Sequence, residues 1–354
     1  MNIVDTVKVL DGGFSSQLSR HLNMEAESTS HPLWCARFLF TDPGSVVDTH
    51  RDYIRAGADI VMTNTYQASV DGFQKYFELE ACESYRLIKD AVHFVKRAIA
   101  LENVHQPVGK NVLIAGSVGS YGACLHDGSE YRGDYVKKVP LEIIKTWHRP
   151  RISALVEAGV DFLAFETIPA LAEAEVLVEL LKEFPNQKAW VSFTCKDAKH
   201  TAASDDIKQA AKRLWSLNPD QLIAVGVNCL HPSLVSPLIT SIREANESGP
   251  PIPTIAYPNN GEHYDTSIKC WVKQKGSPPV HSYVPEWLNN GLSIVGGCCK
   301  TTADDIRIFR NFFDKAFGFR LTGFSFKNQW LSAFSFRLSA SFRTLDKCEF
   351  DVPF

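Results

Sequence analysis

Eight short apolar runs rich in β-branched residues recur along the chain, with helical patterns between them. They are VKVLDGG from Val7, DIVMTNTY from Asp59, VLIAGSVG from Val112, DFLAFETIP from Asp161, AWVSFTC from Ala189, LIAVGVNC from Leu222, PTIAYPNNG from Pro253 and LSIVGGCC from Leu292. Runs of this length and composition read as strands buried on both faces. DPGSVVDTHRDYIRAGA carries a Pro in its opening turn and a Gly near its end, and LEIIKTWHRPRISALVEAGV closes in a comparable way, so both read as helices leading into the next strand. Strand and helix repeated eight times predict parallel pairing through right-handed crossovers and closure into a (β/α)8 barrel of the TIM type. An open doubly wound sheet is the rival. Its nucleotide fingerprint needs Gly-x-Gly-x-x-Gly after the first strand, and DGGFSSQL does not supply it.

At 354 residues the chain is longer than a usual domain, yet single barrels grow to this size. The barrel is assigned to residues 1–316. Residues 317–354 change character, with repeated Phe-Ser and Phe-Arg pairs and no clear period, and form a C-terminal tail that the pattern leaves unassigned. With 45% hydrophobic and 22% charged residues the composition is that of an ordinary globular protein. A net charge of −3 gives no global basic field, so neither nucleic acid nor a membrane surface is an expected partner. MNIVDTVKVLDGG lacks a basic start followed by a long apolar stretch, and no segment approaches the roughly 20 apolar residues of a membrane span. Nine cysteines are odd in number and too sparse for a disulfide scaffold. A soluble cytoplasmic protein is expected.

Active sites on such a barrel gather at the C-terminal ends of the strands. Asp11, Thr63, Thr65, Glu166, Asn228, Cys229, Asn259, Cys298 and Cys299 all fall at or just beyond the ends of the runs. Buried cysteines ordinarily act as small apolar residues. Here one thiol ends the sixth run and two adjacent thiols end the eighth. A vicinal disulfide strains the backbone, whereas three thiolates make a soft-metal site with a fourth position open, which suits zinc. Gly296 and Gly297 are expected to let the backbone approach the ion. The other six cysteines read as structural, and His31, His50, His231 and His281 show no metal spacing.

GVNC, YPNNGEHYD and GGCCKT resemble the zinc-binding segments of the homocysteine S-methyltransferase family. LDGGFSSQL, HPLWCARFLF, AGADIVMTNTYQAS, AGSVGSYGACLHDGSEYRGDY and FLAFETIP resemble it too, in order, from about residue 7 to about residue 310. The resemblance implies a Zn2+ ion held by Cys229, Cys298 and Cys299, with the thiol of homocysteine as fourth ligand. That thiolate would take a methyl group from a sulfonium donor, S-methylmethionine or S-adenosylmethionine, giving methionine. Glu166, counted with the cysteines as catalytic, and Asp11 match the family's substrate carboxylates and would hold the amino-acid ammonium. Thr63 and Thr65 match a segment that bonds the substrate carboxylate, and Asn228 would contact substrate or shape the surroundings of the metal. Partners are then small molecules, and the protein a monomer or small homo-oligomer. Betaine is the less expected donor, because that branch resembles a longer chain with an added oligomerisation segment. A non-catalytic zinc or redox sensor built on the vicinal thiols is the alternative of a different class. Hydrolysis by a metal-bound water is disfavoured, since three thiolates reduce the metal's acidity.

Overall fold

The computed structural model describes residues 7–22, 31–105, 111–247, 249–265, 270–273 and 276–318. All eight runs form strands: β1 (Lys8–Val9), β2 (Ile60–Met62), β3 (Leu113–Gly119), β4 (Phe162–Ile168), β5 (Lys188–Phe193), β6 (Leu222–Asn228), β7 (Thr254–Tyr257) and β10 (Ile294–Val295). They pair in parallel in the order β1-β10-β7-β6-β5-β4-β3-β2. A parallel bridge between Leu10 and Ile60 joins the two ends, reinforced by the Asp59 amide donating to the Val9 carbonyl at 2.7 Å, so the sheet closes into the expected barrel. One feature was not expected. An antiparallel hairpin of β8 (Glu262–Asp265) and β9 (Cys270–Lys273) sits in the connection after β7, where the long YPNNGEHYD segment gave no separate strand signal.

Alternation along each strand sorts side chains into two apolar layers. Phe162 and Ala164 of β4 pack inside the barrel with Leu10, Ile60, Trp190, Ala224 and Tyr257, whereas Leu163 and Phe165 face the helices. Glu166 continues the inward series one step further along β4, at the end where the barrel opens. By the same parity Asn228 follows Ala224 inward on β6. Gly226, between them, allows a close approach of neighbouring strands, because a Cβ there would overlap the Ile255 carbonyl of β7.

The helix Pro43–Ala56 starts as its sequence indicates: the Asp42 side chain accepts from the Ser45 amide, Pro43 fills the first turn, and Gly57 ends it at φ 101°. The helix Leu141–Glu157 runs through Pro150 and ends before Gly159 at φ 81°. The last helix, Ala303–Gly318, packs back on the strand closure. Of the tail assigned to residues 317–354, Phe317 and Gly318 belong to this helix and the rest lies outside the described residues. Among the described residues no helix is long and apolar enough to cross a membrane.

Asp59 ties these parts together. Its Oδ2 accepts from the Val9 amide at 2.8 Å and from Arg310 Nη1 at 3.0 Å, so one carboxylate joins β1, the start of β2 and the last helix. Asp59→Ala is therefore expected to lower stability by about 1–3 kcal/mol, chiefly by leaving the buried Val9 amide without its acceptor, since Asp314 keeps Arg310 paired. Urea unfolding followed by far-UV circular dichroism checks this.

Candidate functional site

The C-terminal end of the barrel opens into a cavity of about 140 Å³. Asp11, Thr63, Glu166, Cys229, Cys298 and Cys299 all line it. Cys229 follows β6 directly and takes a left-handed φ of 55°, which turns the chain off the barrel wall. The adjacent cysteines follow β10 in a tight turn, in which the Thr301 amide and hydroxyl donate to the Cys298 carbonyl at 3.1 and 2.6 Å. The turn is fastened to its neighbours. The Cys298 amide donates to the Pro258 carbonyl at 2.8 Å, and the Asn260 amide to the Cys299 carbonyl at 3.1 Å.

These turns bring the three sulfurs within 4.8 Å of one another. Cys229 Sγ lies 3.6 Å from Cys299 Sγ, and Cys298 Sγ 3.9 Å from Cys299 Sγ. Both separations far exceed a disulfide bond. They match the spacing of about 3.8 Å between neighbouring sulfurs at the corners of a tetrahedron with metal–sulfur arms of about 2.3 Å. Hydrogen bonds from Cys298 and Cys299 hold the Cys229 thiol well below its usual range, while both donors are raised. The Tyr131 hydroxyl stands 3.3 Å from Cys229 Sγ.

A Cβ at Gly296 would meet the Asp11 carbonyl and Leu10, and one at Gly297 would strike Thr301. The glycines thus let the thiol turn nest against β1 and against itself. The Gly297 amide donates to the Asp11 carbonyl at 3.0 Å and so couples the thiol turn to the first carboxylate.

Both carboxylates are buried. Asp11 Oδ2 accepts from the Met62 amide at 2.8 Å, while Oδ1 is buried with no partner. Burial raises its pKa well above the usual range. Glu166 accepts from the Ser117 hydroxyl, and burial pushes it up to about 7. Two desolvated carboxyl groups, one with a free oxygen, make a receptor for a small cation.

The remaining expected residues divide. Thr63 Oγ1 lines the cavity but accepts from the Ser117 amide at 3.0 Å and lies 2.6 Å from Thr65 Oγ1. Thr65 is turned from the cavity and donates to the Ser117 carbonyl at 2.7 Å. Asn228 does not line it either: its Oδ1 accepts from the Thr167 amide at 2.8 Å and its Nδ2 donates to Thr167 Oγ1 at 2.7 Å. That clasp holds Thr167 at φ 54°, so Asn228 fixes the chain between Glu166 and the end of β4. Asn259 is buried outside the lining, its amide donating to the Leu230 carbonyl at 2.9 Å.

Phe14, Trp34, Tyr66, Gln67 and Tyr131 complete the walls. Strand ends do not reveal them, because all five sit in loops or loop helices. Trp34 reaches across to the β3 loop, donating to His126 Nδ1 at 2.9 Å. TYQ and SEY each place an aromatic among polar residues following a strand, which is the signal the sequence offers.

The homocysteine S-methyltransferase family profile matches residues 8–313. A betaine-homocysteine S-methyltransferase of Drosophila melanogaster is 41% identical over 314 residues, covering 86% of this chain and 93% of the relative. The homocysteine S-methyltransferase of Escherichia coli strain K12 is 37% identical over 302 residues, covering 85% and 93%. The crystal structure of the E. coli homocysteine methyltransferase MmuM in its metallated form superposes with a TM-score of 0.74 at 33% identity, covering 87% of this chain and 96% of that one. The chain therefore belongs to the homocysteine S-methyltransferase family, a family of methyltransferase enzymes.

Proposed function

We propose that the protein transfers a methyl group from a sulfonium donor, S-methylmethionine or S-adenosylmethionine, to the thiol of homocysteine, with Zn2+ held by Cys229, Cys298 and Cys299. The observation that carries this reading is the meeting of three sulfurs within 4.8 Å in the wall of a cavity that also contains two buried carboxyl groups. The donor set fits zinc, since three soft thiolates at tetrahedral spacing leave one corner for an incoming sulfur. When bound, the ion supplies the Lewis acidity that lets a thiol lose its proton at neutral pH and stay nucleophilic.

The chain's own residues then orient the substrates. Asp11 and Glu166 receive the ammonium of homocysteine, with the free Oδ1 of Asp11 as one acceptor. Asn228 keeps Glu166 in place through Thr167, and Tyr131 stands against Cys229. In the transfer, the homocysteine sulfur forms a bond to the methyl carbon as the sulfonium C–S electrons return to the donor sulfur. The donor's positive charge disappears, and the thiol proton is released to solvent. An anionic, water-poor site favours approach of the cation. A sensor built on the same thiols has no need of the two carboxyl groups beside them, and membership of an enzyme family favours catalysis.

Incubation of purified protein with homocysteine and each sulfonium should yield methionine; no methionine from either donor rejects the reading. Chelation should abolish turnover and added zinc restore it, and Cys298→Ser should lower kcat/KM at least about hundredfold. A fully metal-free protein of undiminished activity contradicts the zinc assignment.

The pH dependence has a definite sign. Burial raises Glu166 to about 7, so below that pH the carboxyl is neutral and cannot pair with an ammonium; above it the charge is available. kcat/KM for homocysteine should therefore rise as pH passes upward through about 7. Glu166→Gln should lose that limb and fall about 10- to 100-fold at pH 8, the cost of one charged hydrogen bond. Steady-state profiles of both proteins decide it.

A further inference from the structure

Gln67 lines the cavity with a carboxamide that bonds to nothing among the described residues. It is 3% exposed, and neither Nε2 nor Oε1 has a hydrogen-bond partner. A buried carboxamide left in this state costs about 1–3 kcal/mol for each unpaired group. Its backbone, by contrast, is held firmly. Gln67 sits in a tight turn closed by the Ala68 amide donating to the Thr65 carbonyl at 3.0 Å. Nη2 of the buried Arg151 donates to the Thr65 and Tyr66 carbonyls at 2.9 and 2.7 Å, and Nη1 to the Gly119 carbonyl at 3.1 Å. A fixed backbone that sets an unsatisfied, buried carboxamide in the wall of a cavity is the arrangement of a preorganised ligand contact.

The chemistry of the group narrows the ligand. Asp11 and Glu166, at the ends of β1 and β4, already provide for a cation, which suits the ammonium of homocysteine. Gln67 follows β2 by five residues and lines the same cavity, offering one donor face and one acceptor face without charge. An α-amino acid group matches both faces at once. A trimethylammonium acid such as betaine has no N–H to give and would leave Oε1 unpaired.

We propose that Gln67 recognises the amino-acid end of the methyl donor, its amide N–H donating to the α-carboxylate and its amide oxygen accepting from the α-ammonium, so that the cavity selects an amino-acid sulfonium over a trimethylammonium acid. The assignment rests on the methyl-transfer reading above. Arg151 serves it as a positioning residue by holding the two carbonyls that precede Gln67.

Steady-state kinetics of wild type, Gln67→Met and Gln67→Glu, with homocysteine and S-methylmethionine varied in turn and betaine as the rival donor, test the assignment. Both variants should raise the KM for S-methylmethionine about tenfold or more, with the homocysteine KM within twofold of wild type. Wild type should turn over S-methylmethionine and not betaine. Because the Gln67 carboxamide bonds to nothing among the described residues, Gln67→Met should also melt at or above the wild-type temperature, which a structural role would not allow. A donor KM within twofold of wild type, a homocysteine KM that rises instead, equal use of betaine, or a lowered melting temperature in Gln67→Met overturns the proposal. Wild type inert toward both sulfonium donors defeats the methyl-transfer reading itself; active wild type with an unmoved donor KM defeats only the role of Gln67.

Discussion

Closure of the parallel strands into a ring is the constraint on which the site depends. Cys229 and Cys299 are 70 residues apart in sequence, yet their sulfurs stand 3.6 Å apart. This happens because β6, β7 and β10 are consecutive in the sheet, so the turns after β6 and β10 leave the same rim with only β7 between them. The same closure sets β1 beside β10 and lets the Asp11 carbonyl accept from Gly297. Thiols and first carboxyl group thus share one fastened piece of backbone. Loss of register in any of these four strands would displace a sulfur by several ångströms and break the cluster.

The site is assembled against its own electrostatic interest. Asp11, Glu166 and Cys229, whose charged form its thiol neighbours favour, line one desolvated cavity, while the buried Arg151 behind the wall donates to backbone carbonyls. Glu166 shows the consequence for stability. Its carboxyl is raised by burial to about 7 in the folded chain against about 4.3 in an unfolded one, so between those values the folded state holds the extra proton. Stability contributed by this group is therefore present at low pH and falls as pH rises through that window, the reverse of a salt-bridged carboxylate. A bound ammonium would return what the empty site gives up, which couples ligand binding to folding.

Much of this was legible in the sequence, for reasons specific to particular residues. Strands buried on both faces leave continuous apolar runs, so all eight were visible, and two-residue alternation carries Glu166 inward once Phe162 and Ala164 are seen as interior. The thiols were visible because cysteines at two strand ends are unusual. Loop geometry was not visible. Whether Thr65 and Asn228 face substrate depends on hydrogen bonds to Ser117 and Thr167 that cross between strands, and no spacing rule reports them. The function of Gly296 and Gly297 depends on Leu10 and Thr301 packing against them, which is tertiary information. Trp34 and Gln67 reach the cavity by turns whose direction only the folded chain defines.

Catalysis as proposed requires a single metal held by three cysteine sulfurs beside a pocket for an amino-acid thiol. X-ray absorption spectroscopy of the zinc-loaded protein, with metal content measured in parallel, tests this most directly. One zinc per chain is expected in a shell containing three sulfurs at about 2.3 Å, joined by a fourth when homocysteine is added. A shell dominated by nitrogen or oxygen, or one that homocysteine leaves unchanged, contradicts it.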